Sequence, residues 1–340
     1  MKVPVLCIAA ILGYISAYAL FKAESQIDGA RFPYLMDKAT IDTAGETVRM
    51  AGESIAWLTD PIAEAINVLV AGIEATLITL PWITVVCVIL AVAARFSGFK
   101  LAVFCLASLT FVSLVGLWNS LLITASLIVT SVTLALCIGI PIGIIIALSN
   151  RAEKAVKPIL DVMQVMPSFV YLIPALVLFG VGSAVSIVLT VIYSIPPAIR
   201  LTNLGIRTVP IAPLETAAAH GATRFQTLFH IQLPLAKPSI MMGVNQTIMM
   251  ALAMVIITAV VGSDGLGRDV WYALRTINTG TGLEAGIAIV ILAVLLDRLS
   301  YAITSGRKSR LPVSQSVSYT HLRAHATEAD LVCRLLLEKK

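Results

Sequence analysis

Three stretches of this 340-residue chain, 101–150, 162–199 and 238–263, contain no Asp, Glu, Lys or Arg. A domain folded in water is about one quarter charged, whereas this chain is 13% charged and 58% hydrophobic. Roughly 20 consecutive apolar residues cross the hydrocarbon core of a bilayer. Inside that core every backbone N–H and C=O must find a partner within the protein. The runs do not alternate with period two, which excludes a transmembrane barrel. The chain is therefore read as an all-α polytopic membrane protein. Spans are predicted at 3–21, 77–94, 101–118, 121–148, 168–182, 184–202, 239–262 and 285–303. Pro141, within Gly139–Gly143, predicts a kink in the fourth. Pro167 and Pro174 predict that 158–182 is one irregular span whose first turns lie in the interface.

Lys and Arg in short loops mark the cytoplasmic side. Arg151, Lys154 and Lys157 share one loop, and Arg200, Arg207, Arg224 and Lys237 lie in or beside another. Arg95 and Lys100 flank a turn, and Arg298, Arg307, Lys308 and Arg310 follow the last span. Eight spans place all of these on one side, together with Lys2. Segment 22–76, with four basic and nine acidic residues, falls outside. Within it, Ile41, Val48, Ile55 and Leu58 recur at helical spacing, which fits an amphipathic helix over 35–67 on the outer surface, but a solvated tail lying on the membrane is the favoured reading. Lys2, the apolar run after it and Ala17-Tyr18-Ala19 also fit a secretory signal. The minimal basic start favours a retained anchor. The expected organisation is an anchor and external segment over 1–76, a transmembrane domain over 77–304 with a polar loop at 203–238, and a tail over 305–340.

The polar loop contains Glu215–Pro234, ETAAAHGATRFQTLFHIQLP. It reads as helix, turn, helix. Pro213 suits a first helical turn, where its missing N–H would be unpaired anyway. Glu215 follows near the positive end of the helix dipole. Ala217, Ala218 and Ala219 favour helix and let another surface approach closely. Gly221 stands where a helix stops on a left-handed residue. Thr223 with Gln226 is a capping-box signature for a second helix. Phe225, Leu228 and Phe229 form an apolar face, and Leu233-Pro234 is expected to end that helix. An ordinary interfacial helix pair that only anchors the loop is the plain alternative.

The spacing of Glu215, Ala217, Gly221, Ile231, Leu233 and Pro234, E-x-A-x3-G-x9-I-x-L-P, resembles the cytoplasmic "EAA" loop of ABC importer permeases. Residues 158–182, Ser194–Arg200 (SIPPAIR), Gly243–Leu252 (GVNQTIMMAL) and Val290–Leu299 (VILAVLLDRL) resemble the glycine betaine/proline, or quaternary-amine, branch of that family. The resemblance runs over about residues 65–303. It implies the type I ABC importer permease fold, with about 7–8 transmembrane helices. It implies a multi-pass protein of the bacterial inner membrane, surrounded by the lipid bilayer. It further implies a separate ABC ATPase subunit that binds ATP and Mg, a periplasmic or lipid-anchored substrate-binding protein, a second permease copy and an osmoprotectant role. The six loop residues are then the ATPase-coupling residues. Thr216 departs from the family pattern, which has a second small apolar residue after the Glu.

No G-x-x-x-x-G-K-[ST] loop occurs, so this chain does not cradle ATP phosphates. The spans hold almost no ionisable groups of the kind that relay protons in ion-coupled transporters; Glu74, Asp161, Glu284 and Asp297 lie at span edges. The expectation is a transport subunit with no catalytic residue, no metal and no cofactor of its own. A quaternary ammonium is held by aromatic faces, and Phe169, Tyr171, Tyr193, Asn245 and Gln246 are candidates to line the substrate pathway. Packing between helices is the plain alternative for each. Other cargoes, such as an amino acid or a sulfonate, and a self-sufficient secondary transporter stand as competing readings.

Clustered Lys and Arg of the kind that grip nucleic acid are absent. Cys7, Cys87, Cys105 and Cys137 lie in apolar segments without CxxC spacing and are read as packing residues. His220 and His230 lack a neighbouring carboxylate or Cys to complete a catalytic site. The tail Ser316–Lys340 resembles a translated sequencing-adaptor remnant, so it is treated as non-native, and His321, His325 and Cys333 are not read as metal ligands.

Overall fold

The charge-free runs fold into helices whose closest contacts are made by residues without side chains. In the computed structural model the described residues are 38–305. The predicted span 3–21 and the tail from 306 lie outside them. Contacts divide the chain into one unit ending at Ala56 and another beginning at Trp57. The first contributes helix α1 (Lys38–Ser54). The second holds α2 (Ala56–Thr79), α3 (Trp82–Ser97), α4 (Phe99–Leu114), α5 (Trp118–Leu148), α6 (Asn150–Val165) and α7 (Leu172–Phe179). It continues with α8 (Ser183–Arg207), α9 (Ile211–Ala219), α10 (Arg224–Thr227), α11 (Leu233–Ile257), α12 (Leu266–Thr276) and α13 (Thr279–Ser305).

At the centre α8 packs between α5 and α11. Gly139 faces Ile195 and Ala198, and Gly143 faces Ile199 and Thr202, so α5 and α8 run parallel. Gly205 faces Ala236 and Ser239, and Gly243 faces Pro197 and Leu201, so α11 runs antiparallel to α8. A Cβ on Gly143 would lie 2.7 Å from Thr202 Cβ and 2.8 Å from the Ile199 carbonyl oxygen. One on Gly205 would lie 2.8 Å from Ser239 Cβ. Lipid tails are as apolar as a leucine side chain, so such close packing, rather than hydrophobic burial, holds membrane helices together.

Several buried hydroxyls of these helices bond to their own helix backbone. Thr130, Ser131 and Thr190 donate to the carbonyls of Ser126, Leu127 and Ser186, each at 2.7 Å. At the end away from the polar loop, Ser186 and Thr258 are hydrogen-bonded, and the Leu266 amide donates to Thr124 Oγ1 at 2.8 Å. Leu295 and Leu299 of α13 pack in one cluster with Ala93, Leu101 and Ala102, on either side of the turn carrying Arg95 and Lys100.

Five helical stretches among the described residues are long and apolar enough to cross a membrane: 56–79, 118–148, 183–207, 224–261 and 279–301. Helices α6 and α7, joined by a 3-10 turn at Ser168–Tyr171, form a pair bent by 107°. The broken geometry expected around Pro167 is present. Helix α5 runs from Trp118 to Leu148 with Pro141 inside it. Two details differ from expectation. The spans predicted at 77–94 and 101–118 are the 16-residue helices α3 and α4, separated at Gly98.

The second difference lies N-terminal to them. The segment 35–67, read as a solvated tail or a surface helix, contains the start of a second helix, α2, which is 24 residues long and apolar. Asp60 and Glu64 on it are exposed, while Val70 is buried with Ile66 in the central cluster.

The glycine contacts predict a stability effect. Gly143→Val should lower the unfolding free energy in detergent by about 1–3 kcal/mol through overpacking. Gly72→Ala, in the middle of α2 where nothing lies within 4 Å of the added Cβ, should not lower it. Thermal unfolding of the two purified variants checks this.

Candidate functional site: a capped elbow between two spans

The turn between the two helices of the polar loop is closed by hydrogen bonds on both sides. Pro210 caps α9, and Pro213 sits in its first turn as expected. Glu215 lies one turn further in than the sequence suggested, since α9 begins at Ile211. Its side chain is exposed, as are Thr216, Ala218 and Ala219, while Ala217 is buried.

The helix stops at Gly221, whose φ of 74° is left-handed. Gly221 N–H donates to the Ala218 carbonyl at 3.0 Å and Ala222 N–H to that of Ala217 at 3.0 Å. This pair of bonds is the Schellman arrangement, which closes a helix over a glycine. The capping box is also formed. Gln226 N–H donates to Thr223 Oγ1 at 3.3 Å, and Thr223 N–H donates to Gln226 Oε1 at 2.8 Å.

Two expectations fail beyond that point. Phe225, Leu228 and Phe229 do not share a buried face. Leu228 is 3% exposed, but Phe225 is 74% and Phe229 57% exposed. Only Leu228 enters the cluster with Ile206, Ala236 and Ile240, where Leu233 also packs.

Leu233-Pro234 does not end the helix either. The chain passes from α10 through a π turn at Leu228–Gln232 straight into α11, with Leu233 N–H reaching back to the Leu228 carbonyl. Pro234 has no N–H to give, and the wider turn carries the helix past the missing bond. Ile231 and Leu233 are half-buried along this junction, and Pro234 is exposed.

The elbow encloses a groove of about 520 Å³ with Leu214, Ala218, Arg224, Phe225 and Leu228 in its lining. Leu148, from the end of α5, forms part of the same lining. Sequence reasoning did not find Leu148. It is far from the loop along the chain and carries no local signal.

The candidate pathway residues are only partly gathered. Tyr171 and Tyr193 meet edge to face, with ring centroids 6.4 Å apart and planes at 78°. Tyr171 also donates to the Met163 carbonyl at 2.7 Å, across the bend between α6 and α7. Phe169 and Gln246 are exposed and Asn245 is half-buried on α11. Among the described residues no ring contact or hydrogen bond joins Phe169 or Gln246 to the tyrosine pair.

The family model described as "Binding-protein-dependent transport system inner membrane component" matches residues 139–308. The chain is 43% identical over 251 residues to the glycine betaine transport system permease protein OpuAB of Bacillus subtilis, covering 74% of this chain and 89% of that protein. It is 40% identical to the glycine betaine/proline betaine transport system permease protein ProW of Escherichia coli, covering 76% and 74%. It is 42% identical to the glycine betaine/carnitine transport permease protein GbuB of Listeria monocytogenes, covering 67% and 82%. Among solved structures, inward-facing conformations of the MetNI methionine ABC transporter share the fold. Their TM-scores are 0.50 and 0.51 at 21% identity, covering 54% and 56% of this chain and 91% and 94% of those chains.

The capping box makes a local prediction. Thr223→Ala removes the side-chain acceptor of the Gln226 amide, a loss of about 1 kcal/mol for an N-cap. Hydrogen exchange over residues 223–227 should accelerate about fivefold, with no change across α8.

Proposed function

The chain belongs to the inner membrane components of binding-protein-dependent transport systems, and from that premise we propose that it is the permease subunit of an ATP-driven importer of glycine betaine/proline-type osmoprotectants. The observation that carries this reading is the capped elbow, Glu215–Gly221 closed by its Schellman turn, set between two spans in a chain that matches betaine permeases over most of its length. The ATPase is a separate subunit that holds ATP and Mg. It grips α9 through the exposed Glu215, the small surface around Ala217 and the turn at Gly221. Ile231, Leu233 and Pro234 carry that grip through the π turn into α11.

A substrate-binding protein delivers solute at the opposite face in the bacterial inner membrane, and a second copy of this chain completes the pathway. Closure of the ATPase dimer tilts the spans from inward-facing to outward-facing, and hydrolysis resets them. Tyr171 and Tyr193, which already meet, offer aromatic faces to a quaternary ammonium. Phe169, Asn245 and Gln246 join the lining when the pathway is assembled. Weak contacts at this level let the solute leave.

A second reading of the cargo rests on relatives named trimethylamine N-oxide transport system permease proteins, 37% and 36% identical to this chain. Competition between labelled betaine and trimethylamine N-oxide in the same uptake assay separates the two.

Gly221→Asp should abolish ATP-dependent betaine uptake in reconstituted vesicles while leaving insertion intact. A Cβ in the left-handed region costs about 1–2 kcal/mol, and the carboxylate adds charge at the gripped turn. Betaine uptake at the normal rate by this variant contradicts the coupling role.

A further inference from the structure

The elbow is mounted on the end of α8, and one side chain ties that end to two other helices. Arg207 is the last residue of α8, and only Thr208, Val209 and Pro210 separate it from α9. Its guanidinium reaches three elements. Nη1 donates to Asn150 Oδ1 at 2.7 Å and stands 3.3 Å from Glu153 Oε2, both on α6. Nη2 donates to the Ile146 carbonyl at 3.1 Å, in the last turn of α5. Nε donates to Asn203 Oδ1 at 2.9 Å on α8 itself. Asn203 closes the ring by donating from Nδ2 to Glu153 Oε1 at 3.2 Å.

These contacts are more than a surface ion pair. The Arg207 and Glu153 side chains are 28% and 33% exposed, and the flat guanidinium has its donors fixed in one plane. A cation placed at the carbonyl ends of α5 and α8 also meets the negative ends of both helix dipoles. The linker to α9 is short and contains Pro210, whose φ is locked. Thr208 caps α8 twice, with N–H to the Leu204 carbonyl at 2.9 Å and Oγ1 to the same oxygen at 2.8 Å. Little slack remains between the guanidinium and the elbow.

We propose that Arg207 is the positioning residue that locks the mount of the elbow to α5 and α6, so that a load on α9 moves α5, α6 and α8 as one body. The proposal rests on the reading of α9 as the surface gripped by the ATPase. Arg207 touches neither solute nor nucleotide. Its role is to keep the mount from swinging freely when α9 is pulled. A lysine keeps the charge but loses the planar fork, so it restores part of the joint only.

The test uses the full transporter, reconstituted with its ATPase and binding protein, and reads solute molecules imported per ATP hydrolysed. Arg207→Gln is expected to lower this ratio about tenfold, within the usual range of coupling between sites. Arg207→Lys should give an intermediate ratio. Arg151→Gln, an exposed cation on the same helix without an ion-pair partner among the described residues, should keep the wild-type ratio.

Import per ATP unchanged in Arg207→Gln, in a complex that still assembles, overturns the role of Arg207 alone. If the wild-type chain fails to retain the ATPase on purification, the reading of the elbow falls and this role falls with it.

Discussion

Everything at the functional end depends on how closely α8 lies against α5 and α11. In lipid there is no hydrophobic gain from pressing one apolar helix on another, so proximity must come from shape and dispersion. Gly139 and Gly143 on α5, Gly205 on α8 and Gly243 on α11 remove the atoms that would hold the axes apart. The result is a three-helix unit with α8 at its centre, parallel to one neighbour and antiparallel to the other. A rod gripped on two sides transmits force along its length, and the elbow is attached to its end.

The elbow itself is built to resist deformation without a large core. Most joints are closed by bonds between backbone groups or between backbone and a short side chain: the Schellman pair at Gly221, the reciprocal box of Thr223 and Gln226, and the π turn before Leu233, while Pro210 starts α9 with its φ locked. Leu228 is the one large apolar anchor in the short helix pair, and it sinks into the cluster formed by α8 and α11. The exposed remainder, Glu215, Ala218, Ala219 and two phenylalanines, is therefore a fixed surface. An apolar side chain such as Phe225, 74% exposed at the end of a rigid elbow, suits a partner rather than water.

Much of this could be read from residue order, because its causes are local. The stretches without charge announced membrane helices. Gly221 announced a left-handed stop, and Thr223 with Gln226 announced a capping box; the structure has both. What escaped reading depends on contacts between distant residues. The wheel placed Phe225, Leu228 and Phe229 together, but the wall formed by α8 and α11 accommodates only Leu228. Pro234 looked like a terminator because proline breaks an α-helix, yet an inserted π turn removes the need for its N–H. Helix α2 was hard to read because Asp60, Glu64 and Glu74 interrupt its apolar run. The Arg207 joint is assembled from three helices and has no motif. The tyrosine pair was half legible: the residues were picked for their aromatic faces, but their contact depends on the 107° bend between α6 and α7.

The central claim is that the elbow is the handle by which a separate ATPase moves the spans. An electron cryomicroscopy structure of this chain bound to its ATPase, trapped with a non-hydrolysable nucleotide, tests it most directly. The account predicts that Glu215–Gly221 lies in a cleft of the ATPase, with α9 still closed by its left-handed turn and still carried on α8. An ATPase bound elsewhere on the chain, or an elbow on the face opposite to it, contradicts the account.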